Sequence, residues 1–257
     1  MQDPKTYSIS NDKLRLLLQG SAGSGKSTLA AQFPGAYFID VDVNLGGTFR
    51  YLREHNLKLP LGYDVLDRDE KDQPVDIKQR FLRLDKCLRE AQLNPAIETI
   101  ILDSGTTLAD VLIAEVCRQQ GKNAISDWKD GRQFWGFFAP LCRNFLGVLS
   151  QMRKHIVLIV HEKREQNTEG QVIYPIKVAW PGQVGQNIGA FFTNVWRCEN
   201  KVEGYAPNEK VKFYLRTTPN GQYELKNTLG VPNTFEFDWK IIEAKLKGGA
   251  TMVAKAA

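Results

Sequence analysis

The chain has 257 residues, 42% of them hydrophobic and 25% charged, with a formal net charge of +5. That supplies one substantial core, and no run of about 18 apolar residues is present to cross a membrane. The opening MQDPKTYSIS has no basic stretch leading into an apolar one, and Cys87, Cys117, Cys142 and Cys198 lie far apart without C-x-x-C spacing. A signal peptide, a disulfide framework and a cysteine zinc site are therefore not expected, and the chain reads as cytoplasmic, with no membrane partner.

Taken in chain order, the apolar runs at 14–19, 36–40, 98–103 and 155–160 predict strands buried on both faces, the mark of a parallel sheet. Between them, helices are predicted at 25–33, 47–55, 75–93, 106–120 and 132–153. The last is the clearest, with Phe134, Phe138, Leu141, Phe145, Val148 and Met152 at three- or four-residue steps and Pro140 as a kink point. After residue 190 the stretches FFTNVWRCE, KVKFYLRTT and QYEL, separated by polar turns, predict antiparallel strands, finished by a short helix at 238–247. The expected organisation is an N-terminal extension over 1–12, one α/β domain over 13–247, and a flexible tail over 248–257.

The segment GSAGSGKS fits G-x-x-x-x-G-K-[ST] between a strand and a helix. Such a loop curls its backbone N–H groups inward and opens a helix whose N-terminus favours anions. Residues Gly20, Ser21, Ala22, Gly23, Ser24, Gly25, Lys26, Ser27 and Thr28 are thus candidates to hold a nucleoside triphosphate. Lys26 would reach the β- and γ-phosphates and Ser27 would ligate magnesium.

Magnesium needs a second anchor, and Asp103, closing the strand TIILD, is the candidate; its alternative role is to cap the next helix. Hydrolysis needs a carboxylate to orient water. FIDVD offers Asp40 and Asp42 at period two, with Asp42 further toward the loops; the alternative is a solvated acid pair in a turn.

In this order the pieces resemble the RecA-like P-loop ATPase core, and more closely the compact phage nucleotide-binding proteins that include Sak-type single-strand annealing proteins. The resemblance covers roughly residues 13–230. It implies a mostly parallel central sheet flanked by helices, with antiparallel strands near the C-terminus, and ATP and Mg2+ as cofactors. By resemblance Asp42 activates water, where RecA proteins carry Glu, Asp103 is the Walker B acid in ILDSGTT, and His161 in LIVHEKREQ senses the γ-phosphate. As a lone strand-end histidine, His161 is equally read as structural. Two loops, near 119–133 and 162–185, stand where this family binds single-stranded DNA. The first carries Lys122, Trp128, Lys129 and Arg132, and the second Lys163, Arg164, Tyr174, Lys177 and Trp180. Cations interleaved with aromatics suit sequence-tolerant binding, because phosphates attract charge and bases stack on rings. The acids among them, and packing of the two tryptophans over the sheet, are the competing reading. In ELKNTLGVP, Lys226 matches a basic finger used between subunits, and Thr228 stands where a second lysine would be. The implied partners are single-stranded DNA, further copies of the chain in a ring or short filament, and a single-strand-binding protein. The implied setting is phage recombination, annealing or replication in the host cytoplasm. A nucleotide-gated loader with little turnover and a P-loop kinase for small molecules or nucleotides are the alternatives.

Overall fold

The computed structural model describes residues 13–204 and 209–254. The chain runs β1 (Arg15–Gly20), α1 (Lys26–Ala30), β2 (Ala36–Asp40), α2 (Leu45–Glu54), β3 (Gly62–Val65), α3 (Ile77–Leu93), β4 (Thr99–Asp103), α4 (Gly105–Gln119) and α5 (Gly131–Gln151). It continues through β5 (His155–Gln166), β6 (Val172–Val178), α6 (Gly182–Gln186), β7 (Asn194–Glu203), β8 (Lys210–Arg216), β9 (Lys226–Asn227), β10 (Thr234–Glu236) and α7 (Trp239–Ala254). The expected extension at 1–12 lies outside the described residues. Helix α7 runs past the expected end at 247, so the predicted tail falls partly in this helix and partly outside the described residues.

The strand order is β10-β8-β7-β1-β5-β4-β2-β3, with β6 on β5 and β9 on β7. Strands β7, β1, β5, β4, β2 and β3 run parallel to their neighbours, and β8 and β10 continue the sheet antiparallel. This is a single α/β domain with a mostly parallel central sheet, as the sequence implies. Alternation along each strand feeds two cores. Leu17, Ile39, Ile100, Leu102 and Leu158 face α3, α4 and α5, while Leu16, Leu18, Phe38, Ile101 and Ile159 face α1, α2 and α7. Each fully buried aliphatic side chain contributes about 1.5–3 kcal/mol relative to exposure, which is why these strands read as continuous apolar runs. Helix α5 continues through Pro140.

Four stretches depart from the sequence expectation. The segment 162–185 is largely a β-hairpin: β5 runs on to Gln166, a turn follows in which the Asn167 side chain accepts from Glu169 and Gln171 N–H groups, and β6 returns antiparallel. Charges on both faces of this exposed ribbon conceal the strand period. QYEL pairs only through an isolated bridge at Tyr223, the short strand β9 following it. Finally, β3 and β10 are edge strands whose mixed polarity gives no buried-strand signal.

Candidate nucleotide site

The site lies at the carboxyl ends of β1 and β4 and beside the middle of β5. Gly20 at the end of β1 sits opposite His161 on β5, and the glycine loop follows. Gly25 has φ +89°, and a Cβ there would lie 2.1 Å from the Phe213 ring, so this position requires glycine for two independent reasons. The loop is also held from outside: Asn200 donates to the Gly23 carbonyl at 2.9 Å and the Cys198 thiol to the Ser24 carbonyl at 3.1 Å.

Lys26 is 5% exposed, and its ammonium donates to the Gly20 and Ser21 carbonyls at 3.0 and 2.8 Å. Burial pushes its pKa down, opposed by the more distant negative field of Cys198, Asp103, Glu162 and Asp42. The Ser24 hydroxyl is buried without a hydrogen-bond partner. A buried cation satisfied only by loop carbonyls, beside an orphaned hydroxyl, fits a polyphosphate.

Ser27 Oγ donates to Asp103 Oδ2 at 2.5 Å, so the two predicted magnesium anchors meet. Burial raises the Asp103 pKa to about 6, with the Ser27 hydrogen bond opposing and Asp42 and Asp40 adding to the rise. A divalent cation would remove that penalty. Among the described residues no cluster of three or more acids, histidines or cysteines could hold a metal. A hydroxyl and one carboxylate fit magnesium, which keeps waters and phosphate oxygens in its shell. The cap of α4 is Ser104, which accepts from the Thr107 N–H, so Asp103 is not needed there.

The two acids of FIDVD separate. Asp40 accepts the N–H groups of Asp42, Val43 and Leu45 and fixes the turn after β2. Asp42 instead accepts from Ser104 Oγ at 3.0 Å and lies 4.0 Å from His161 Nε2. His161 has its pKa lowered by burial and then by Lys26, with Asp42 opposing, which favours the neutral ring. Lys26, Ser27, Asp103 and His161 line one cleft of roughly 460 Å³, closed on the far side by Tyr51, Asn200 and Phe213. Sequence reasoning missed these last three, and only the aromatic character of KVKFYLRTT hinted at any of them.

The predicted DNA residues fare unevenly. Lys129, Arg132, Lys163, Arg164, Lys177 and Tyr174 are exposed, and Lys122 is half-buried. Lys163 and Lys177 both pair with Glu165, at 3.2 and 3.9 Å. Trp180 is a correction: it is 7% exposed and belongs to the core against α5, so its ring is not available to a base. Trp128 is partly buried against that core and packs on Phe134 and Phe137, which turns it inward too. Trp135 and Phe137, which the sequence reading assigned to no role, are exposed on the first turns of α5. Trp135 also abuts Gly182, just beyond the hairpin. Lys226 pairs across to Val195, alongside Leu17 and away from the phosphate loop of its own chain, and its ammonium donates to the Phe192 carbonyl at 2.8 Å. Thr228 donates to the Thr193 carbonyl.

A glycine loop entering α1, an acid at the end of β4, and a parallel sheet covered on both faces define a P-loop NTPase core. The chain belongs to the AAA domain family, which matches residues 12–229. Among solved structures it is similar to a KaiC-like protein from the hyperthermophilic archaeon Pyrococcus horikoshii OT3. The identity is 12%, the match covers 88% of this chain and 90% of that one, and the TM-score is 0.40. No curated protein sequence matches. No helix among the described residues is long and apolar enough to cross a membrane.

Proposed function

We propose that this P-loop NTPase is a Mg-ATP-dependent, single-stranded-DNA-binding ATPase of the RecA-like type, acting in phage recombination, annealing or replication. The observation that carries the reading is the continuity of β5. Its residue His161 lines the nucleotide cleft, and the same strand runs on, with a shift of pairing register between Lys163 and Glu165, into an exposed hairpin bearing Lys163, Arg164, Tyr174 and Lys177. In this reading Lys26 and the loop amides bind the phosphates, Ser27 and Asp103 hold Mg2+, and Asp42 orients the attacking water. His161, neutral and beside Asp42, hydrogen-bonds the γ-phosphate. The hairpin and the basic segment around Lys129 and Arg132 carry DNA phosphates, with Trp135 and Phe137 supplying accessible ring surface for stacking in place of Trp128 and Trp180.

The experiment is steady-state ATP hydrolysis with and without single-stranded DNA, using Lys26→Ala to subtract contaminants. Stimulation by single strands and not by duplex, lost in the variant, is expected. Lys26-dependent ATP binding without stimulation would instead support a nucleotide-gated loader. One observation favours that second reading: the position of a second basic finger is held by Thr228, whose hydroxyl is engaged with Thr193. Fingers of this kind are worth factors of roughly 10³–10⁵ in rate. Assembly into a ring or short filament, with Lys226 facing a neighbouring copy, belongs to this proposal.

A further inference from the structure

Successive side chains of a strand point to opposite faces, and β7 uses the two faces differently. On one, Cys198 and Asn200 hold the carbonyls of Ser24 and Gly23 in the phosphate loop. On the other, Arg197 bonds both oxygens of Glu162, at 2.6 and 3.4 Å, and Glu199 at 2.7 Å. Glu199 is held in turn by Arg216 at 2.8 Å.

Glu162 is the residue after His161 and begins the paired part of the outgoing arm of the hairpin. The returning arm is fixed separately: Ile176 N–H donates to the Gln222 carbonyl at 2.8 Å, and Ile176 bridges to Tyr223. The Arg197 guanidinium lies 4.2 Å from the centroid of that same Tyr223 ring. One side chain therefore reaches the roots of both arms, the first through a carboxylate and the second through an aromatic face. The pair is secluded, with Arg197 12% and Glu162 2% exposed at the side chain. An exposed ion pair contributes little, but breaking a secluded one strands a charge.

We propose that Arg197 is a positioning residue that ties the root of the β5–β6 hairpin to the phosphate loop through β7, so that nucleotide in the loop orders the hairpin. This rests on the reading that the loop binds nucleotide. It adds a second route beside His161. His161 meets the hairpin from the cleft, whereas Arg197 meets it from the strand that grips the loop.

The test is hydrogen–deuterium exchange of the amides in 162–178 with and without a non-hydrolysable Mg-ATP analogue, alongside direct binding of a fluorescent ATP analogue. In the wild type, nucleotide should slow these amides about tenfold, the scale of one charge-assisted hydrogen bond. Arg197→Ala and Glu162→Gln should keep nucleotide affinity nearly unchanged and lose most of the slowing. Arg197→Lys, which keeps the charge without the planar fork, should restore part of it. If Arg197→Ala does not fold, the paired E162Q/R197Q variant, with two amides replacing two charges, carries the test. Equal slowing in the wild type and every variant, or none in the nucleotide-bound wild type, overturns the inference. A wild type that fails to bind the analogue overturns the nucleotide reading and the coupling with it, and this outcome is read separately in the binding measurement.

Discussion

Replacing Lys26 with Met tests the nucleotide site by separating two roles that one side chain combines. Lys26 is a secluded cation with two loop carbonyls as partners and no ion pair among the described residues, and burial lowers its pKa. Methionine keeps the stem and removes the charge. In the free protein this relieves the cost of burying an ammonium, several kcal/mol, and leaves the Gly20 and Ser21 carbonyls without that donor, about 1–3 kcal/mol each, so the two effects have opposite sign and similar size. Ser21 is exposed, so water can replace part of the loss. The melting temperature of the free variant should consequently move by no more than a few degrees. With ligand the prediction is one-sided. At a hundred times its Kd, Mg-ATP stabilises the wild type by about 2.7 kcal/mol, which at about 2–4 °C per kcal/mol is a rise of roughly 5–10 °C. Lys26→Met should lose nearly all of it. Thermal denaturation with and without Mg-ATP, read by fluorescence, makes the comparison. A variant that keeps the full ligand shift would refute the assignment of Lys26 to the phosphates, and one that melts far below the wild type without ligand would show that the lysine is needed mainly to hold the loop.

The parts of this site that were legible in the sequence are those with a contiguous backbone cause. The glycine loop is read from its own spacing and Asp103 from its place at the end of an apolar run, whereas the role of His161 comes from the resemblance to the RecA-like core, a lone strand-end histidine being equally read as structural. The choice between Asp40 and Asp42 was visible only as a tendency. Period two puts both on one face, and what separates them is the turn at Val43, φ +57°, which brings three N–H groups onto Asp40 and leaves Asp42 for Ser104 and His161. Cys198, Asn200 and Phe213 close the site from well over a hundred residues away, through the pairing of β7 beside β1 and of β8 beside β7, and such contacts have no local signature. The tryptophans misled for a related reason. An aromatic between charges looks like a stacking platform in sequence, but Trp180 follows directly on β6, where the chain turns back toward α5 and buries the ring.

Three further perturbations follow from the geometry. Gly25→Ala forces a left-handed backbone, about 1–2 kcal/mol, and drives a methyl into Phe213; it should weaken binding of an ATP analogue, and adding Phe213→Ala should recover part of the loss, since only the steric component is relieved. Trp135→Ala with Phe137→Ala should weaken single-strand affinity by about 1–3 kcal/mol per stacked base without lowering basal ATP hydrolysis; fluorescence anisotropy with an oligonucleotide checks it, and unchanged affinity would move the contact surface off α5. The third concerns acid. His155 opens β5, is buried, and accepts the Leu14 N–H on Nδ1 at 2.8 Å, a bond that a protonated nitrogen cannot make. Burial, with Lys13 and Arg15 adding to it, pushes its pKa down to about 3 from 6.5. Between those values the unfolded chain binds a proton that the folded one refuses, so stability rises with pH through this window. The contribution is fully present above about 6.5 and is lost as pH falls toward 3, at about 1.4 kcal/mol per unit, or about 2 kcal/mol by pH 5. His155→Gln can still accept from Leu14 and has nothing to titrate. Urea unfolding of both proteins from pH 8 to 5 should give a constant difference above pH 7 that shifts by about 2 kcal/mol in favour of the glutamine variant at pH 5; parallel curves would mean that His155 titrates alike in the folded and unfolded chain, and that its bond to Leu14 does not hold the ring neutral.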